Sequence, residues 1–378
     1  MWFPQFRAAR IEDDMTRARS FGCQGMLGIH WRHRIVDPTA TYFARAAWDG
    51  GLTAKAHYAR YARSQASGTH AESLAGLLVD CDMGRTIAST YAGRKAAGGF
   101  ATHVELTADY HEAFAYRENQ PDAALLPAQR RTAARFAALA RTAGSAAERE
   151  RLAYLAGFVG FMVPYCDAYR NAHALDAVLA SAAELRKAGD AAGAKELVLR
   201  DGVSLWMALA PQVREAVLAF QAVIATRNDL GQLASMQNKL VRIAIDRLRL
   251  SLQEFVDELP PAAERVYATA VSADDGAAPR VFLPTRPSIL RPTEVLRLFA
   301  VAPGLGSDPV LVFLTRRLGE HEWSSSPARH EGRSVFSVTL GPFAEGEAAI
   351  EYRLEARGPS GLLSDPPGGG AHMATLLS

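Results

Sequence analysis

At Leu259-Pro260-Pro261 the periodicity of the sequence changes, and with it the structures the chain can form. From Thr53 to about Leu259 the apolar positions recur at helical spacing, in a background rich in alanine, the best helix former. Leu152, Leu155, Val159, Met162, Cys166 and Tyr169 step alternately by three and four residues, which predicts a seam between antiparallel helices. Leu233, Met236, Leu240 and Ile243 predict a second seam. Lys187-Ala188-Gly189-Asp190 places a terminating glycine before a capping aspartate, so a tight helical hairpin is expected there. Pro164 and Pro211 lie within helical patterns, where the lost N–H predicts a kink or a break.

Beyond Pro261 short runs read as strands punctuated by Pro, Gly, Ser and Asp: Val266 to Val271, Val295 to Ala302, Val310 to Thr315, Ser334 to Leu340 and Ala348 to Arg357. Ile350, Tyr352, Leu354 and Ala356 alternate with Glu351, Arg353 and Glu355, the pattern of a strand with one dry face and one wet face. About seven such strands in roughly 110 residues predict an immunoglobulin-like or fibronectin-like β-sandwich.

The first fifty residues read helix, strand, helix. Residues 8 to 21 form a charged helix stopped by Gly22, and the apolar run Gly25-Met26-Leu27-Gly28-Ile29, within residues 24 to 31, suits a buried parallel strand. Asp37-Pro38 then reads as an N-cap followed by a proline at the first helical position.

Lys plus Arg total 42 against 40 Asp plus Glu, for a formal charge of +2. Nucleic acid is excluded as the expected main partner, because phosphate binding requires clustered cations. Met1-Trp2-Phe3-Pro4-Gln5-Phe6 lacks the basic and apolar regions of a signal peptide, and no apolar run reaches the ~18 residues of a membrane span, so neither a signal peptide in this sequence nor a membrane partner is expected. The sequence assigns no compartment. Cys23, Cys81 and Cys166 are too widely spaced for a disulfide framework or a zinc site and are expected to be buried and reduced.

His30, Trp31 and Arg32 follow the apolar run directly. At the C-terminal end of a barrel strand such residues face the substrate, and together they suit a sugar: the indole covers the C–H face while His and Arg bond the hydroxyls. The competing reading is a core tryptophan with His30 and Arg32 satisfying loop carbonyls.

The run from Gly25 to Arg32, followed by Tyr42 to Asp49 and then Leu52-Thr53, resembles the last strand and last helix of the catalytic barrel in bacterial α-glucuronidase-like and hexosaminidase-like glycoside hydrolases. Thr226-Arg227-Asn228-Asp229-Leu230-Gly231 resembles part of their helical region. The tail, from Arg286-Pro287 through Val301-Ala302-Pro303-Gly304 to His321-Glu322-Trp323, is similar to their closing β-domain. The resemblance implies a multidomain α+β chain: the end of a (β/α)8 (TIM) barrel over residues 1–52, an α-helical bundle over 53–260 and a β-sandwich over 264–378. It also implies a carbohydrate substrate, a sugar subsite at His30, Trp31 and Arg32, and no cofactor.

The departure from that family lies in the acids. Glycoside hydrolysis requires two positioned carboxyl groups, or one and a substrate amide, and the family takes them from middle barrel strands, of which this sequence shows none. Glu12, Asp13 and Asp14 read as a solvated first helical turn, and Asp80 and Asp82 as structural or solvated groups in a loop. His103, Asp109 and His111 provide no third metal ligand, Tyr110, Phe114 and Tyr116 read as packing, and Gly98-Gly99 and Gly358 to Gly361 lack the context of a phosphate cradle. The expectation is therefore the C-terminal portion of a glycoside hydrolase, without catalytic carboxylates, inactive alone and completed by an N-terminal barrel portion. The alternative is a non-catalytic accessory protein that binds carbohydrate or a protein partner; a third reading is a scaffold assembled with a separate catalytic chain.

Overall fold

The computed structural model describes residues 6–28, 34–83, 88–91, 94–97, 126–272, 276–291, 294–306, 309–332, 334–343, 348–358 and 361–377. The chain is mixed α+β and divides into two compact units. One comprises Met1–Val223 with Gln232–Val271, the other Ile224–Gly231 with Ser272–Ser378.

The first unit opens with α1 (Ala8–Ser20), α2 (Asp37–Ala46), α3 (Ala54–Gln65) and α4 (Gly68–Met83). A hairpin pairs β1 (Ala88–Tyr91) with β2 (Arg94–Ala97). Then follow α5 (Leu126–Arg141), α6 (Ala146–Gly160), α7 (Met162–Lys187), the short α8 (Ala191–Leu197) and α9 (Val203–Gln221). Capping chemistry explains several of these starts. Thr53 accepts from the Ala56 N–H at 3.2 Å, Ser145 from Glu148 at 3.2 Å, and Asp190 from Gly193 at 2.8 Å. Gly189, with φ of +90°, closes the hairpin between α7 and α8 as expected. The first seam is buried along its whole length and forms the core with Phe158, Phe161, Trp206 and Phe220.

Pro164 acts as predicted: α6 ends at Gly160, Phe161 forms a turn, and α7 begins at Met162. Pro211 does not break α9; the helix runs through it, with the proline exposed and Trp206, Leu209, Ala210, Val213 and Phe220 on the buried face. Taken as one rod, Ala146–Lys187 is long and apolar enough to cross a membrane, but its most apolar window is 67% buried by the rest of the protein. That burial is a sufficient reason for its composition.

The helix α10 (Arg227–Met236) runs into a π-helical stretch, Gln237–Arg247, and then α11 (Leu248–Gln253). Its wider turn moves the second seam. Met236 and Leu240 are buried, but Leu233 and Ile243 are only half-buried, and Val241, Ala244 and Ile245 take their place.

Two expectations about this unit fail. Val266 to Val271 is no strand; it lies in α12 (Pro261–Val271), which packs on α9. Pro261 suits a helix start, and the alanines at 262, 263, 268 and 270 keep the segment helical. The predicted strand also fails over its described part: residues 24–28 are coil, and Met26 and Leu27 are exposed by 41% and 87%. A strand exists only as part of a ladder, and none of the described residues offers one here. Two smaller corrections concern Asp37, which is the first helical residue while Val36 takes the N-cap position, and Cys23, which is exposed while Cys81 and Cys166 are buried.

The second unit is built of two sheets facing one core. Strands β3 (Ile289–Leu290), β5 (Leu311–Arg317), β6 (Ser324–Pro327), β9 (Ala349–Gly358), β10 (Gly361–Asp365) and β11 (His372–Leu376) form the larger sheet, in the order β3-β11-β9-β5-β6 with β10 also on β9. The smaller sheet is β4 (Leu296–Val301), β8 (Val335–Leu340) and β7 (Arg329–Gly332), in the order β4-β8-β7. Leu298, Phe336 and Val338 meet Phe313, Tyr352 and Leu354 in the shared core. Four of the five predicted strand runs thus form strands, and β9 shows the alternation read from its sequence.

Thr226 and Asp229 form a reciprocal cap at the start of α10. Asp229 accepts from Ala225 and Thr226, while its own N–H donates to the Thr226 hydroxyl at 3.2 Å.

Candidate functional site

The residues expected to bind sugar, His30, Trp31 and Arg32, lie outside the described residues, as do His103, Asp109, Tyr110, His111, Phe114, Tyr116 and Gly98-Gly99. What the structure shows is how the flanks of 29–33 are held. On one side Gly28 lies against the Phe43 ring so closely that a Cβ would come within 3.0 Å of it. A cleft of about 170 Å³ runs beneath, lined by Met15, Ala18, Arg19, Cys23, Met26 and Phe43 among others. On the other side Ile35 and Val36 are buried, and the Arg34 guanidinium stacks 4.2 Å from the Tyr154 ring centroid.

Beneath these flanks lies a buried polar lattice. Asp82 is not a loop residue; it sits on α4 and accepts from the Ala9 N–H at 2.8 Å and from the Tyr58 hydroxyl at 2.7 Å. It thereby satisfies an orphan donor at the start of α1. Burial pushes its carboxyl above the usual range against these hydrogen bonds, and burial with the adjacent carboxylate pushes Tyr58 well up. Glu12, read from sequence as solvated, accepts from the Ala54 N–H at 2.8 Å and secures α3. His57 is held neutral by burial; its Nε2 lies 2.8 Å from the Pro38 carbonyl and so carries the proton. Tyr42 donates to the Leu52 carbonyl at 3.1 Å, and burial pushes its phenol up to about 12.

Around this scaffold large apolar side chains stand in solvent among charged ones. Phe21, Leu27 and Trp48 are exposed by 83%, 87% and 93%. Residues 24–28 form no backbone hydrogen bonds with other described residues.

The second unit holds two further polar constellations that sequence reasoning missed. Asp365, 2% exposed, accepts from the Leu283 N–H at 2.5 Å and lies 3.2 Å from both Arg286 and His372. Burial alone would raise its carboxyl, but the His372 hydrogen bond, the Arg286 charge and the Leu283 N–H hold it below the usual range. On the larger sheet, Arg316 and Arg353 lie 4.4 and 4.5 Å from the Trp323 ring centroid. Arg316 pairs with Glu351, and Arg353 with Glu355 at 2.8 Å. The alternating charges of β9 signalled this wet face; the meeting with Trp323 depends on the β5–β9 register.

Among the described residues no group of three or more His, Cys, Asp or Glu is placed to hold a metal ion.

No protein-family model and no curated protein matches the chain. Among solved structures, the endo-β-1,4-mannanase from Thermotoga petrophila is similar over 32% of this chain and 25% of its own, at 12% identity and a TM-score of 0.21. An engineered protein is similar over 44% of this chain and 46% of its own, at 9% identity and a TM-score of 0.22. The chain thus spans less than half of each structure, and TM-scores at this level establish no shared fold.

Proposed function

We propose that this chain is the non-catalytic C-terminal portion of a carbohydrate-active enzyme, in which residues 24–33 join the sheet of a catalytic barrel supplied by other residues. The observation that carries the reading is the state of residues 24–28: an apolar segment laid over α1 and α2, exposed, and without backbone partners among the described residues. Apolar backbone with unpaired N–H and C=O groups is a template for strand addition. On this reading α1 and α2 are the helices flanking the last barrel strand, and His30, Trp31 and Arg32 follow it at the sugar-facing end. The second unit closes the assembly as an immunoglobulin- or fibronectin-like sandwich. The carboxylates placed by the fold serve other ends, since Glu12 and Asp82 hold helix starts.

The test restores an upstream or co-expressed barrel portion and assays both forms on a panel of 4-nitrophenyl glycosides. Hydrolysis only by the completed form, with slowed amide exchange at 24–28, is expected. Hydrolysis by this chain alone, or unchanged exchange in an active assembly, refutes the reading.

A second reading, a carbohydrate-binding accessory protein, is favoured by Trp323, whose indole is stacked by two arginines beside Glu351 and Glu355. Binding of soluble oligosaccharides lost in Trp323→Ala, without hydrolysis in any assembly, would select it.

A further inference from the structure

A separate feature of the helical unit, independent of the reading above, is an open groove of about 720 Å³ between α9 and α12. That size falls within the range of small-molecule pockets. Met207, Pro211 and Leu218 line one wall, and Ala262, Val266 and Ala270 the other. The α12 wall is built from small residues at four-residue spacing, and the groove stays open because they do not fill it. On α9 the stretch from Met207 to Leu218 runs roughly 16 Å at the helical rise per residue.

The charges within it are uneven. Arg214, Arg265 and Glu215 line the groove, two cations against one anion, and none of the three enters an ion pair among the described residues. The Arg214 Nε is shielded from solvent and has no hydrogen-bond partner. A buried donor left unmade carries a free-energy cost, which a shift of the guanidinium onto an acceptor bound in the groove would remove. An aliphatic body in contact with Met207, Pro211, Leu218 and Val266 would leave its charged end for the guanidiniums.

We infer that this groove binds an amphiphile with a single anionic head, a long-chain carboxylate, with its tail along α9 and its head on Arg214. A cationic or uncharged amphiphile of equal length lacks the complement to those guanidiniums.

The probe is 1-anilinonaphthalene-8-sulfonate, displaced from the full chain by dodecanoate, dodecanol or dodecyltrimethylammonium. Dodecanoate is expected to displace the dye best. Arg214→Gln should weaken it by at least about tenfold, the loss of one charge-assisted hydrogen bond. Thr269→Trp, at an exposed groove position, should abolish dye and dodecanoate binding while the far-ultraviolet circular dichroism melt stays unchanged. Equal displacement by dodecanol, preference for the cation, or undiminished dye binding by a folded Thr269→Trp protein would each overturn the assignment. The last would place the dye elsewhere, for example on exposed Phe21, Leu27 and Trp48. Co-sedimentation with phosphatidylcholine–phosphatidylglycerol vesicles, lost in Arg214→Gln, would instead make the anion a lipid headgroup and refute a free carboxylate.

Discussion

Replacing Asp365 by alanine should lower the melting midpoint of the second unit and spare the first. The carboxylate is 2% exposed and serves three donors: the Leu283 N–H, Arg286 and His372. Removing it strands the buried Leu283 N–H, at about 1–3 kcal/mol. The bond to His372, whose side chain is 14% exposed, adds about 1 kcal/mol. Arg286 is 42% exposed, so its pairing is screened and adds roughly 0–1 kcal/mol. The total is about 3 kcal/mol, or roughly 10–20 °C in the melting midpoint of a unit this size. Trp323 is the tryptophan of the second unit, so its emission follows that transition, while ellipticity at 222 nm follows the helices.

Asp365→Asn keeps an acceptor for Leu283 and should lose about half as much. Its deficit relative to the native protein should also vary with pH. The folded carboxyl titrates below its ordinary value, so its stabilisation is complete above pH ~4 and is lost as pH falls through the folded value. Native protein and Asp365→Asn should therefore converge in acid. If Asp365→Ala melts with the native protein at pH 7, or if both transitions move equally, the carboxylate does not hold the second unit.

Gly157→Ala should destabilise the helical unit by about 1–3 kcal/mol, because a Cβ there would lie 1.8 Å from Val223 Cγ1, and Val223→Ala in the same protein should restore the thermal midpoint. Of the three thiols, Cys23 should react at once with Ellman's reagent; Cys81 and Cys166 should react only on denaturation, since both are buried and burial pushes Cys166 up to about 12 and Cys81 further. Asp82→Ala should cost about 2 kcal/mol by stranding the Ala9 N–H and Tyr58 hydroxyl, whereas Asp82→Asn retains an acceptor. Because the folded Asp82 carboxyl titrates above its ordinary value, the native helical unit should gain stability as pH falls through that folded value, and urea midpoints of Asp82→Asn should lack this gain.

The helical seam from Leu152 to Tyr169 was legible because every one of its residues is buried, so sequence period and packing describe the same stripe. Gly189 and Asp190 were legible because their conformational and hydrogen-bonding needs are local. Val266 to Val271 was misread because short apolar runs do not fix a period, and Pro260-Pro261 serves equally as a strand boundary or a helix start. The π-helical turns after Met236 changed the stripe itself, and nothing in a 3.6-residue template anticipates that. Asp82, Asp365 and Trp323 escaped for another reason: each meets partners distant in sequence, and a single chain's periodicity carries no information about which distant groups converge.

Residues 24–28 show where sequence and structure part most clearly. Their composition states a preference for burial, yet backbone pairing is a property of two segments, and composition names only one of them. Without a backbone partner among the described residues, the segment lies against Phe43 and Met15 and leaves Leu27 in water. Leu27→Lys discriminates the origins of that exposure: a solvent-adapted loop gains solubility and loses nothing, whereas a strand awaiting a sheet loses assembly with a barrel portion while its own melt is unchanged. Unimpaired assembly of the lysine variant would remove the segment from any interface.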